Sequence, residues 1–456
     1  MPDASSASTR VPEVEPEPRR ATDADVDVVD PSEATTEPAD PPLRLIDEPD
    51  LTVVDAPGRP FPWVWALVAL LVVLRVAAAG YLVLSHTERE ENILGGDAGR
   101  YHEIAESDGT PYRDFDVEYP PAALALIEVT NGTDRAGTIE RLVASQLVLD
   151  LAVAALLVWA WDRRTAVTYL ILATPLLAFP FLYMRIDLLS VFLALLGLAL
   201  VRKGWDKAGG ASLAVAAYAK VWPIVVMPVL VIERKVKAGA AWVVSMAVCG
   251  VAWLVWGGWS GPSEVLTFRG AKGWQVESII GLFFHVANPT GSHPEAGAWR
   301  TAAEMPGWGR PLLTALSGLT VLLAWWLAAR RRRAGDDDSV VYGLAPLVCV
   351  IGMLVFAPIL SPQYVLWFLP FAAIVAARGN RLMGGLTLAV AALSAWSFAV
   401  IKAELHGQWY AVYPLFLRNG LLVAMLVVGL VQLTRPVAGR RSVRPVEVPA
   451  TASPSA

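Results

Sequence analysis

Two cysteines, Cys249 and Cys349, leave no disulfide framework to read, and both fall inside apolar runs where packing is the natural role. The five histidines, His86, His102, His285, His293 and His406, are scattered and form no pair at the i,i+4 spacing of a helical metal site, so no metal and no cofactor is expected. Charge is scarce as well. Asp, Glu, Lys and Arg make up 17% of the 456 residues against 55% hydrophobic ones, whereas a soluble domain is roughly a quarter charged and about half apolar. That balance excludes an ordinary soluble domain and indicates a membrane protein. No internal repeat of the kind that marks many transporters is visible.

The net charge of -5 is misleading, because residues 1–59 hold fifteen Asp or Glu against five Arg and leave the remainder about +5 by difference. This tail is rich in Pro, Asp, Glu, Ala and Thr without an apolar period, a composition expected to stay disordered. It also lacks the charged start and apolar run of a signal peptide, so the first span, beginning at Phe61 or Pro62, is expected to act as an uncleaved anchor. Residues 60–436 form the membrane domain, and residues 437–456 are expected to be a second disordered tail.

Crossing roughly 30 Å of hydrocarbon takes about 20 apolar residues, fewer where charged flanks snorkel. Ten stretches qualify: 62–85, 142–161, 166–184, 186–201, 238–258, 311–329, 340–360, 365–377, 383–401 and 412–434. An eleventh, 208–232, has Arg202, Lys203 and Lys207 on one side and Arg234, Lys235 and Lys237 on the other. Short basic loops favour the cytoplasm, so a single crossing would leave one cluster outside. A hairpin broken near Lys220, Pro223 and Pro228 satisfies both clusters; a single kinked span is the alternative. With the hairpin, both termini and every basic turn are cytoplasmic, and two long polar segments, 86–141 and 259–310, lie outside.

The first outer segment opens with GGDAGRYHEIA, residues 95–105, and closes with YRDFDVEYPPAALAL, residues 112–126. Glycines let the chain turn tightly before Asp97, and Tyr101 follows one helical turn later, the pattern of a presented acid; Asp97 as one more acid in a solvated loop is the plainer reading. From Pro120 onward, Ala123, Leu124, Ile127 and Val129 suit a short interfacial helix. Charges inside spans are more telling, since each costs roughly 2.5–3.5 kcal/mol at mid-membrane. At about 1.5 Å per residue, Arg75 and Asp150 lie at matching depths and can pair, while Lys220 and Arg418 lie roughly 12 and 9 Å from the outer face, with Arg185 and Asp187 at the mouth. Such cations could meet a lipid phosphate or could be structural ion pairs.

Four segments resemble the polyprenol-phosphate-sugar-dependent glycosyltransferases of the GT-C superfamily, especially glycosyltransferase family 87: GDAGRY, VEYPPAAL, YAKVWPIVVMPVLVIERK and SPQYVLWFLP. The likeness spans roughly residues 62–434, and mannosyltransferases of phosphatidylinositol mannoside synthesis are similar in layout, although a His-containing stretch follows their Ser-Pro turn where this chain has Gln363-Tyr364-Val365-Leu366-Trp367. The resemblance implies an all-α polytopic membrane protein: a GT-C-like bundle of about ten transmembrane helices plus a re-entrant helical hairpin, with short helices in its outer-face loops. It implies transfer of a hexose, mannose, from a polyprenyl-phosphate donor to a lipid or glycan acceptor at the outer leaflet of the plasma membrane, with inversion. Asp97 carries over as the general base. Arg100, Tyr101, Tyr119, Arg185, Asp187, Lys220, Gln363, Tyr364 and Arg418 are the expected substrate and phosphate contacts, with Arg75 and Asp150 as a structural pair. The expected partners are the donor, the acceptor and membrane lipids, and no nucleic acid. A secondary transporter or flippase is the rival from another class, with the missing repeat and the two long outer segments against it.

Overall fold

The computed structural model describes residues 62–87, 96–178, 182–267, 272–295 and 298–435. The two expected disordered tails and Gly95 lie outside the described residues. The chain passes from α1 (Pro62–Thr87) through two short helices, α2 (Gly96–Glu106) and α3 (Pro121–Thr130), into α4 (Arg135–Ala160) and α5 (Arg163–Ala173). After α6 (Asp187–Arg202), α7 (Asp206–Ala219), α8 (Pro228–Ile232) and α9 (Val236–Gly257) comes an irregular segment. It holds α10 (Ser260–Thr267), β1 (Gly273–Gln275), α11 (Ile279–Ala287), β2 (His293–Glu295) and β3 (Ala298–Glu304). The chain then continues through α12 (Gly309–Arg333), α13 (Ala345–Val355), α14 (Val365–Ala377), α15 (Arg381–Ala399), α16 (Ile401–Leu405) and α17 (Trp409–Thr434).

Among the described residues, six helices are long and apolar enough to cross a membrane: α1, α4, α9, α12, α15 and α17. The other four stretches counted in the sequence are helical but short or interrupted. α5 tightens into a 3-10 turn over Thr174–Ala178 at Pro175, α6 has 16 residues, α13 follows a π-helical turn over Val340–Leu344 beside Pro346, and α14 has 13 residues with Pro370 inside it. Proline removes a backbone donor and crowds the preceding turn, which accounts for the irregular turns beside Pro175 and Pro346. Two helices begin at aspartate caps: Asp134 Oδ1 accepts from the Gly137 amide and Asp162 Oδ1 from the Thr165 amide, each at 2.7 Å.

The α6–α7, α8–α9 and α12–α13 turns meet at one end of the bundle, tied by ion pairs. Arg202 Nη2 lies 2.6 Å from Asp338, Arg332 Nε 2.8 Å from Glu233, and Lys235 Nζ 3.3 Å from Asp206. Because Asp206 and Lys235 flank the 208–232 stretch and meet each other, that stretch enters and returns at the same end. Its tip is Lys220, whose backbone is extended (φ -159°, ψ 146°) and whose side chain reaches Asp187 at the far end of α6. Backbone contact holds the hairpin in place. A Cβ on Gly209 would sit 2.7 Å from the Gly197 carbonyl of α6, and one on Gly210 would collide with the Ala238 carbonyl of α9, the close approach that small residues allow between membrane helices.

Arg75 and Asp150 are fully buried between α1 and α4, with Nε 2.8 Å from Oδ2. Arg75 also donates to the Leu71 and Leu170 carbonyls, and Asp150 accepts from the hydroxyls of Tyr169 at 2.6 Å and Tyr183 at 2.9 Å. This is a satisfied polar network in an apolar surround, the form in which buried charge is tolerated. α3 starts with proline at its first turn and buries Ala123, Leu124 and Ile127 while Val129 stays exposed. One element was not read from the sequence: β1, β3 and β2 form a three-stranded antiparallel sheet in the second polar segment, in which Arg300 of β3 pairs with Gln275 and with His293.

Candidate active site

At the end of the bundle opposite the basic turns lies a cavity of about 890 Å³, within the usual size range of small-molecule sites. Each wall comes from a different part of the chain. α2 supplies Asp97 in its first turn, with Arg100 and Tyr101 after it; the segment before α6 supplies Arg185, and α6 begins with Asp187. The hairpin tip gives Lys220 and Trp222, the sheet segment gives Gln275, Glu277 and Arg300, and the start of α12 gives Arg310. A turn and the start of α14 contribute Gln363, Tyr364 and Trp367. Leu313, Met353, Leu354 and Phe356 complete an apolar side.

Two acid–cation pairs organise the polar side. Asp97 Oδ2 contacts Arg185 Nη1, each side chain about a quarter exposed. Lys220 Nζ lies 3.1 Å from Asp187 Oδ1, which also accepts from the Trp367 indole at 2.7 Å. The same ammonium stands 5.8 Å above the Tyr364 ring and 5.7 Å above the Trp367 ring, within cation–π range. Tyr364 and Trp367 stack at 4.1 Å, and Trp222 stacks on Trp367 at 5.8 Å, so a rigid aromatic floor carries the lysine. Tyr101 and Tyr119 meet edge to face at 5.6 Å. Burial raises both phenols, so they act as neutral donors and acceptors. Arg100 donates to the Asp116 carbonyl at 2.9 Å and to Glu118 at 3.3 Å, fixing the loop that carries Tyr119.

The expected site residues therefore converge, with one exception. Asp97, Arg100, Tyr101, Tyr119, Arg185, Asp187, Lys220, Gln363 and Tyr364 all line the cavity, whereas Arg418 does not. It is 1% exposed and donates to the Glu277 carbonyl at 2.7 Å and to Asn419 at 3.0 Å, one layer behind the wall. The Glu277 turn stands between Arg418 and the cavity.

Glu277, Gln275, Arg300 and Arg310 were missed because they sit in a polar segment without a motif. The available signal was Arg418 itself, since a guanidinium within an apolar span calls for an acid to compensate it. Burial pushes the Glu277 carboxyl up to about 7, against the opposing charges of Arg418 and Arg185. Glu404 of α16 is pushed up to about 8 by burial and by the charge of Glu277.

Fold and cavity together define a polytopic helical membrane protein with a charged, aromatic-floored site at one end of its bundle. The family model for glycosyltransferase family 87 matches residues 118–362, more than half of the chain, and the protein belongs to that family: it is a membrane glycosyltransferase. The matched region includes Tyr119, Arg185, Asp187, Lys220 and Glu277, while Asp97 precedes it and Gln363 and Tyr364 follow it. No curated protein matches the chain.

Proposed function

We propose that the protein moves a hexose, mannose, from a polyprenyl-phosphate donor to a lipid or glycan acceptor at the outer leaflet of the plasma membrane, in a single displacement that inverts the anomeric carbon. The observation that carries this reading is the composition of the cavity: a carboxylate, Asp97, beside cations Arg185 and Lys220, next to an apolar wall from α12 and α13. Asp97 takes the proton of the acceptor hydroxyl as its oxygen attacks C1. The C1–O bond to phosphate breaks on the opposite face, and Arg185 and Lys220 meet the charge that grows on the phosphate. The apolar wall suits the first isoprene units of the donor, and the stacked Tyr364 and Trp367 offer a face to the sugar.

The end of the bundle away from the cavity carries Arg202, Lys203, Lys207, Arg234, Lys235, Lys237 and the run Arg330–Arg333, and basic turns favour the cytoplasm. Both termini are then cytoplasmic and the cavity opens outside, where nucleotide sugars are absent and lipid-linked sugars serve as donors. Membranes containing the chain, incubated with a panel of labelled polyprenyl-phosphate sugars, test the reading. Label should move from the mannose donor into a lipid or polymer. Transfer only from another hexose donor corrects the sugar, and release of label across the membrane without transfer supports a transporter.

A further inference from the structure

Glu277 in the cavity wall, with Arg418 and Glu404 behind it, forms a buried cluster with 5%, 1% and 0% exposure. Both carboxyls feel the charge of one guanidinium, and the arrangement is incompletely satisfied. Glu277 Oε1, Glu404 Oε1 and Arg418 Nη1 have no hydrogen-bond partner among the described residues, and Arg418 Nη1 stays 4.0 Å from Glu277 Oε1. Glu277 Oε2 accepts from the Gln275 amide at 3.0 Å, and Glu404 Oε2 from the Ser397 hydroxyl at 2.9 Å. With so little compensation, two ionised carboxylates in this volume are costly, and holding one proton between them removes the excess charge. Only Glu277 of the two reaches the cavity.

We propose that Glu277 is a second proton-handling residue of the active site, the acid that protonates the phosphate oxygen released from the sugar. The inference rests on the transfer reading above. In the balanced step, the acceptor O–H gives its proton to Asp97 while its oxygen forms the new bond to C1. The C1–O bond breaks with its electron pair going to the phosphate oxygen, and that oxygen takes the Glu277 proton. Asp97 is left protonated and Glu277 ionised, and one proton returns to Glu277 before the next turnover. The leaving phosphate becomes a monoester whose second ionisation lies at roughly 6, and burial raises the Glu277 carboxyl toward neutrality, where a general acid is both protonated and able to give its proton up. Arg185, paired with Asp97 on one side, also opposes its charge to Glu277, so it stabilises the carboxylate formed after the proton has left.

The groups that set this titration are Arg418 from α17, Arg185 from the segment before α6 and the Ser397 hydroxyl of α15, and the Glu277 charge in turn raises Glu404 of α16 and Tyr364 of the turn before α14. His285 of α11 lies next to the cluster, donating from Nε2 to the Glu404 carbonyl at 2.8 Å.

The test is the pH profile of kcat for the full chain in vesicles, using as donor the polyprenyl-phosphate sugar that the wild type accepts. Because the required form of Glu277 is protonated, wild-type kcat should fall as pH rises through about 7. Glu277→Gln should lower kcat by about 10²-fold and abolish that alkaline fall, with KM little changed, while Glu277→Asp should restore a fall. A variant that only loosened the structure would lower yield or raise KM and keep the profile. An infrared titration without donor gives an independent reading: the protonated-carboxyl signal of the Glu277–Glu404 pair, lost as pH rises through neutrality, should lose one of its two components in Glu277→Gln and keep that of Glu404. If wild type transfers sugar and Glu277→Gln keeps both kcat and the alkaline fall, or if its infrared titration matches wild type, the assignment to Glu277 is overturned alone. If wild type transfers from no polyprenyl-phosphate donor, the transfer reading falls and takes this step with it.

Discussion

Individual residues carried most of the readable information, and they did so through cost. Arg75, Asp150, Asp187, Lys220 and Arg418 stand out because a charge in an apolar run must be compensated, and the structure gives each of them a partner. Glu277 and Glu404 did not stand out because acids are unremarkable in polar loops, and their burial depends on how α11, α16 and α17 close over them. The Arg75–Asp150 pair allows a direct check of this logic. Removing one partner of a buried pair costs about 3–5 kcal/mol, so Arg75→Leu should sharply lower the yield of folded protein. Arg75→Leu with Asp150→Leu should recover part of it. Recovery stays incomplete because the Tyr169 and Tyr183 hydroxyls then lose their acceptor. Equal yields from the single and double variants, measured by size-exclusion of detergent extracts, would count against the pair.

Among the elements, the long helices were legible from length and hydropathy, and the hairpin from the basic clusters at both its ends. The small sheet was not, because β1 and β2 have three residues each and show no alternation of polar and apolar positions. Nor did the pattern of apolar residues reveal how tightly α7 packs. A side chain at Gly210 would strike the backbone of α9, whereas one at Gly239, on α9 itself, meets nothing within 4 Å. Gly210→Val should therefore lower the melting temperature in detergent by an amount corresponding to about 1–3 kcal/mol or more, and Gly239→Val should change it little. Similar shifts for the two would mean that α7 and α9 separate easily and that the hairpin is not held as described.

For the whole molecule, the proposed orientation rests on the distribution of charge between the two ends of the bundle. Lys207 and Lys237 are exposed at the end bearing the basic turns, and Asp108 is exposed at the end bearing the cavity. Single cysteines at these positions, in a background without Cys249 and Cys349, should react with an impermeant reagent from opposite faces: Lys207→Cys and Lys237→Cys only from the cytoplasm, Asp108→Cys only from outside. Labelling of Lys207→Cys and Lys237→Cys from different faces would break the hairpin and reverse every later helix. The central claim, that the cavity transfers sugar with Asp97 as its base, is tested most directly by sugar transfer from a polyprenyl-phosphate donor by the purified chain in vesicles, comparing wild type with Asp97→Asn. The substitution keeps the side-chain size and removes the basic carboxylate, so transfer should fall by about 10²–10⁴-fold while the protein still inserts and binds donor. An Asp97→Asn protein, correctly inserted, that transfers sugar within a few-fold of wild type would contradict the account.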